Sequence, residues 1–93
     1  MKGTNRKEMR KLLNKALALM KIAFDRHLNM EVNTRLDEKT ALPWFTGHVY
    51  IEGCAFTKHD GRSLYFYVYE HQTVRENEEQ LERVEEFIEK HGK

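Results

Sequence analysis

Apolar and polar positions follow three successive rhythms along this chain. Met9, Leu12, Leu13, Ala16, Leu17, Leu19, Met20, Ala23 and Phe24 recur at intervals of three and four, the period of a helix with one side against a core. Asn5 followed by Glu8 is the signature of a capping box, so the spacing predicts a helix over residues 5–26. Its apolar positions span an arc of roughly 160°, wider than one contact needs, and the helix is expected to pack on a sheet while touching a second element. Lys7, Arg10, Lys11, Lys15 and Lys21 fall mainly on the other side. From Leu28 the rhythm changes to strict alternation through Asp37, which predicts a half-buried strand with Leu28, Met30, Val32 and Leu36 inward.

After a connection over residues 37–43, in which Pro43 biases Leu42 toward extended backbone, two more strands are expected over residues 46–56 and 63–70. Between them Thr57-Lys58-His59-Asp60-Gly61-Arg62 is polar and carries Asp-Gly, a strong hairpin signal. The last strand places Leu64, Phe66 and Val68 on one face and Tyr65, Tyr67 and Tyr69 on the other. With Phe56 opposite Ser63, Cys54 falls opposite Tyr65, Tyr50 opposite Tyr69 and His48 opposite His71. A slip by two residues keeps these faces together, whereas a slip by one mixes them and is forbidden by burial of one face. Thr73 with Glu76 is a second capping box. Val74, Leu81, Val84 and Ile88, with Phe87 at the margin, then form a helical stripe that stops at Gly92, giving a helix over residues 74–91. The expected fold is α+β in the order α-β-β-β-α, a three-stranded antiparallel sheet with both helices on its aliphatic face.

Composition sets the limits of this picture. At 93 residues, residues 1–93 make a single domain. With 40% hydrophobic and 33% charged residues, a globular rather than disordered chain is expected. The strongly apolar stretch 16–24 is broken by Lys21 and is far short of a membrane span. One cysteine, Cys54, fits a reducing compartment and excludes an internal disulfide, so a cytoplasmic location is expected. Residues 1–47 carry ten Lys/Arg and five Asp/Glu, whereas residues 48–93 carry six and ten. The basic first half and acidic second half either attract each other or mark separate partner surfaces.

Four features bear on chemistry. The aromatic face, comprising His48, Tyr50, Cys54, Phe56, Tyr65, Tyr67, Tyr69 and His71, is of the size and amphipathic character found at contact sites. Arg6, Lys7, Arg10, Lys11 and Lys15 crowd the N-terminal half of the first helix, where the helix dipole disfavours cations; they are the candidate phosphate contacts. The second helix is acidic, with Glu79–Arg83 and Glu86–Lys90 as favourable pairs and like charges at Glu78–Glu82, Glu82–Glu86 and Glu85–Glu89. His48 and His71 as neighbours would supply only two metal ligands where a structural site wants four, so no metal and no cofactor are expected. No glycine-rich phosphate loop or nucleophile elbow occurs, and Cys54 lies about 20 Å along a strand from His48, too far for proton transfer. An enzyme is not expected.

The α-β-β-β-α order is similar to that of the double-stranded-RNA-binding domain. That family's second helix opens with a lysine-rich cluster, where this chain has the acidic Thr73-Val74-Arg75-Glu76-Asn77-Glu78-Glu79. Tyr65-Phe66-Tyr67-Val68-Tyr69 resembles the aromatic strand of RNA-recognition motifs, with Phe66 where a small residue is preferred there and with a different element order. Neither resemblance assigns a family. The expected function is a small non-enzymatic binding module of the inhibitor or adaptor type, comparable to phage or bacterial accessory proteins, acting on another protein and forming a homodimer. Nucleic-acid binding through the basic helix and the tyrosines is the alternative, and sequestration of a small ligand in a dimer cleft is a weaker one.

Overall fold

In the computed structural model, helix α1 (Arg6–Asp25) is followed by strands β1 (Leu28–Leu36), β2 (Pro43–Ile51) and β3 (Ser63–Val68) and by helix α2 (Val74–His91). The structure describes residues 3–39, 43–51 and 62–93. Both helices start at the expected caps. Asn5 Oδ1 accepts from the Glu8 N–H at 2.8 Å and Glu8 Oε1 accepts from the Asn5 N–H at 3.0 Å. Thr73 and Glu76 exchange the equivalent bonds at 3.1 and 3.0 Å, which hold the Glu76 carboxyl below its usual range. Each box satisfies two of the donors that a helix start leaves open. The α1 helix closes with the Arg26 N–H on Ile22 and Ala23 carbonyls, and His27 takes a left-handed φ of 62° before the chain reverses into β1.

The sheet is antiparallel in the order β1-β2-β3. Both helices lie on one face and close a single core of Met9, Leu12, Ala16, Leu19 and Ala23 from α1, Leu28, Phe45, Val49, Phe66 and Val68 from the sheet, and Leu81, Val84, Phe87 and Ile88 from α2. The helices run parallel. At their starts the Thr4 hydroxyl donates to the Gln72 carbonyl at 2.8 Å, and at their ends the Lys93 N–H donates to the Arg26 carbonyl at 2.9 Å. Lys11 and Lys15 line the same interhelical groove as Glu78, so part of the opposite charge of the two helices is offset within the molecule. The α2 ion pairs are Arg75 with Glu79 and Glu82 at 3.4 and 2.9 Å, rather than the expected Glu79–Arg83 and Glu86–Lys90. All are exposed and individually weak.

Three expectations need correction. Leu36 is not inward but 60% exposed, because the first turn of α1 reaches only to the level of Thr34, with which Arg6 lines a hollow. The apolar arc of α1 is only partly used: Leu17 and Phe24 remain exposed, Phe24 at 80%. The β2–β3 register differs by six residues, with Tyr50 rather than Phe56 opposite Ser63. Gly47 then lies opposite Phe66, and the Phe66 ring occupies the space above it. A Cβ at Gly47 would overlap that ring and the Glu31 carbonyl oxygen, so the glycine is what lets the ring lie flat on the sheet.

Candidate functional site on the open face of the sheet

The register decides which side chains share the face opposite the helices. Across the sheet from β1 to β3, Glu31, His48 and Tyr65 form one row, and Asn33, Thr46 and Tyr67 form the next; Asn29 and Tyr50 flank them on one side and Arg35 and Trp44 on the other. Alternation places all of these on one side. His48 is stacked between Tyr50 and Tyr65, with ring centroids at 4.6 and 4.0 Å and interplanar angles of 23° and 3°. Tyr69 is flanked by Tyr67 at 6.1 Å, His71 at 5.1 Å and Trp44 at 5.4 Å. The face is therefore an aromatic layer of rings in contact along and across strands, an arrangement that stabilises a sheet by roughly 0.2–1 kcal/mol per cross-strand pair.

The expected pairs on this face are replaced, because the six-residue shift preserves the face while changing every partner. His48 meets Tyr65 rather than His71, and His71 packs on Tyr69. Tyr50 lies opposite Ser63 rather than Tyr69. Phe56, Cys54 and His59 lie outside the described residues. Trp44 was missed: it belongs to the face because the alternation Trp44, Thr46, His48, Tyr50 runs unbroken from Pro43, a signal masked by treating Pro43 as part of a connection.

Burial grades the layer. His48 is 4% exposed, the other rings are mostly half-buried and Tyr67 is 44% exposed. Desolvation holds the His48 imidazole below its ordinary value, opposed by the carboxylate of Glu31 beside it, so His48 is a neutral aromatic member of the stack at neutral pH. Glu31 and Arg35 are the charged residues of the described open-face rows and their charges cancel. Among the described residues no group of three or more His, Cys, Asp and Glu side chains is arranged to hold a metal ion.

The basic cluster is split by the fold. Arg6, Lys7 and Arg10 border a hollow of about 610 Å³ with Leu13, Pro43 and Trp44, on the β1 side of α1. Lys11 and Lys15 turn the other way, toward Glu8 and Glu78. No helix among the described residues is long and apolar enough to cross a membrane. No protein-family model, curated protein or solved structure matches the chain.

Proposed function

We propose that this chain is a small non-enzymatic binding module, of the inhibitor or adaptor type, whose open aromatic face covers a partner protein. The observation that supports this reading is the aromatic layer of Trp44, Tyr50, Tyr65, Tyr67 and Tyr69 on the sheet face that neither helix covers. Tyrosine and tryptophan combine a large apolar ring with a polar group, which suits a surface that is wet when free and dry when bound. The charge balance of the face favours a protein over a nucleic acid. A platform for stacked bases also needs cations along the backbone track, and here Glu31 offsets Arg35 while Arg6, Lys7, Arg10, Lys11 and Lys15 sit on the helix layer.

The two classes separate in one experiment. The tagged protein is used to capture partners from a lysate, with and without nuclease, and in parallel is tested for a gel shift with single- and double-stranded RNA and DNA at low salt. The reading expects a protein retained through nuclease treatment and no gel shift. A nucleic acid bound with steep salt dependence, and lost when Lys7, Arg10 and Lys11 become Ala, would replace it with the nucleic-acid alternative.

A further inference from the structure

The two edges of the sheet are finished differently. At β3 the outward main-chain groups of Tyr67 and Tyr69 are taken by side chains of α2 and of the turn before it. The Tyr67 N–H donates to Gln80 Oε1 at 3.2 Å and the Tyr67 carbonyl accepts from Gln72 Nε2 at 3.3 Å. The Tyr69 N–H donates to Asn77 Oδ1 at 3.3 Å and its carbonyl accepts from Asn77 Nδ2 at 3.0 Å. The C-terminal half of this edge is closed to further strands.

The β1 edge is open. The Ile51 N–H donates to the Arg62 carbonyl at 3.0 Å, so Ile51, Val49, Gly47 and Phe45 aim their main chain at β3, and the residues between them aim at β1. Their β1 partners are Asn29, Glu31, Asn33 and Arg35. Met30, Val32, Thr34 and Leu36 therefore direct their N–H and carbonyl groups away from the sheet, and among the described residues nothing hydrogen-bonds to those groups. A nine-residue strand with a free edge is a template for another strand.

We propose that β1 pairs antiparallel with β1 of a second copy, about a twofold axis through Asn33, joining two three-stranded sheets into one of six. The occupant is chosen by the strand's own sequence. With Asn33 opposite Asn33, Glu31 lies opposite Arg35 of the second copy and Arg35 opposite its Glu31. These are non-hydrogen-bonded pairs, in which side chains approach most closely. In the same register Met30 pairs with Leu36 and Val32 with Thr34, the four residues whose main-chain groups are open. An axis at Glu31 or Arg35 instead sets like charges opposite each other, and no axis other than Asn33 brings Glu31 and Arg35 together.

Apolar surface follows the same axis. Leu13, Leu17, Met20 and Phe24 form a stripe at helical spacing on the β1 side of α1, with Leu17 and Phe24 exposed. Beneath it Met20, Phe24, Leu28 and Met30 line a hollow of about 540 Å³. The exposed Leu36 of the second copy is brought alongside Met30, at the mouth of this hollow, and the twofold repeats the arrangement. The proposal is independent of what the aromatic face binds, since edge pairing leaves that face free and doubles its width.

Sedimentation equilibrium at tens of micromolar tests it. The expected mass is twice the 11.2 kDa of the chain. Glu31→Arg and Arg35→Glu should each give monomers that retain the wild-type circular dichroism, because each sets like charges opposite across the axis. An equimolar mixture of the two, or the double variant carrying both, should restore the dimer. In a Cys54→Ser background, Asn33→Cys should cross-link two copies under mild oxidation, since a cysteine on the axis faces its equivalent at disulfide distance. A monomeric wild type, a dimer indifferent to both single variants, or no cross-link at position 33 would overturn the proposal.

Discussion

Asn77 is the residue on which most local structure converges. It is fully buried in the first turn and a half of α2, where its Nδ2 donates to the Thr4 hydroxyl at 2.8 Å and to the Tyr69 carbonyl, while its Oδ1 accepts from Tyr69 and Gln72. Nothing in the apolar pattern announced it, because a buried amide satisfied by main chain leaves no periodic signature. β3 ends at Val68: the next residue to face β2 is Glu70, whose carbonyl accepts from the Thr4 N–H at 2.9 Å, while Pro43 at that level of β2 has no N–H to offer. Asn77→Ala should leave the Thr4 and Tyr69 groups without this partner and cost about 2–3 kcal/mol in urea denaturation; a loss below about 0.5 kcal/mol would show that the network contributes little. His48 supplies a pH test. Its folded pKa is lowered from the ordinary 6.5, so above 6.5 it costs nothing. As pH falls below 6.5 the unfolded chain takes up the proton first and stability declines, levelling off below the folded pKa. The stability difference between wild type and His48→Phe should therefore grow to the wild type's disadvantage as pH drops from 7.5 toward 5. A constant difference would contradict the buried neutral imidazole.

Elements were more legible than their pairing. Both helix starts were readable to the residue because capping boxes are local in sequence, and the two faces of the sheet were readable because alternation has a period of two. The β2–β3 register was not, since any even slip preserves the faces. Gly47 and Gly53 are six residues apart, so the expected and the observed register both set a glycine opposite Phe66. The observed one wins by burying the larger residues: it pairs Phe45 with Val68 and Val49 with Leu64, where the expected one would have used Ile51 and Ala55. The expected end of the second strand at Phe56 and the Asp60-Gly61 turn signal lie outside the described residues. Between α1 and β1, His27 adopts a positive φ, a conformation that suits glycine at a helix C-terminus and is only tolerated by histidine. It is exposed, so His27→Gly should stabilise the protein by about 0.5–1 kcal/mol by thermal unfolding. Destabilisation would mean that the imidazole makes a contact worth more than the strain.

At the scale of the molecule the two layers divide the work. The helices close the core against the inner face of the sheet and absorb part of their own charge, since Lys11 and Lys15 share a groove with Glu78. The sheet carries its tyrosines on the side away from the helices, and Arg6, Lys7 and Arg10 approach the aromatic layer at its edge, where they share a hollow with Trp44. What the sequence alone could not supply was this placement: charge asymmetry is visible in a one-dimensional count, but the side of the sheet on which it falls depends on topology. The central claim is that the aromatic face, not the basic helix, carries partner binding. Calorimetric titration of the captured partner tests it most directly, with Tyr67→Glu on the face and Lys7→Ala/Arg10→Ala on the helix. Tyr67 is the most exposed tyrosine of the layer, so its replacement leaves the core intact. A loss of at least tenfold in affinity for Tyr67→Glu, against less than about threefold for the helix variant, is the expected result. The reverse order, or equal affinity for Tyr67→Glu and wild type, would contradict the account.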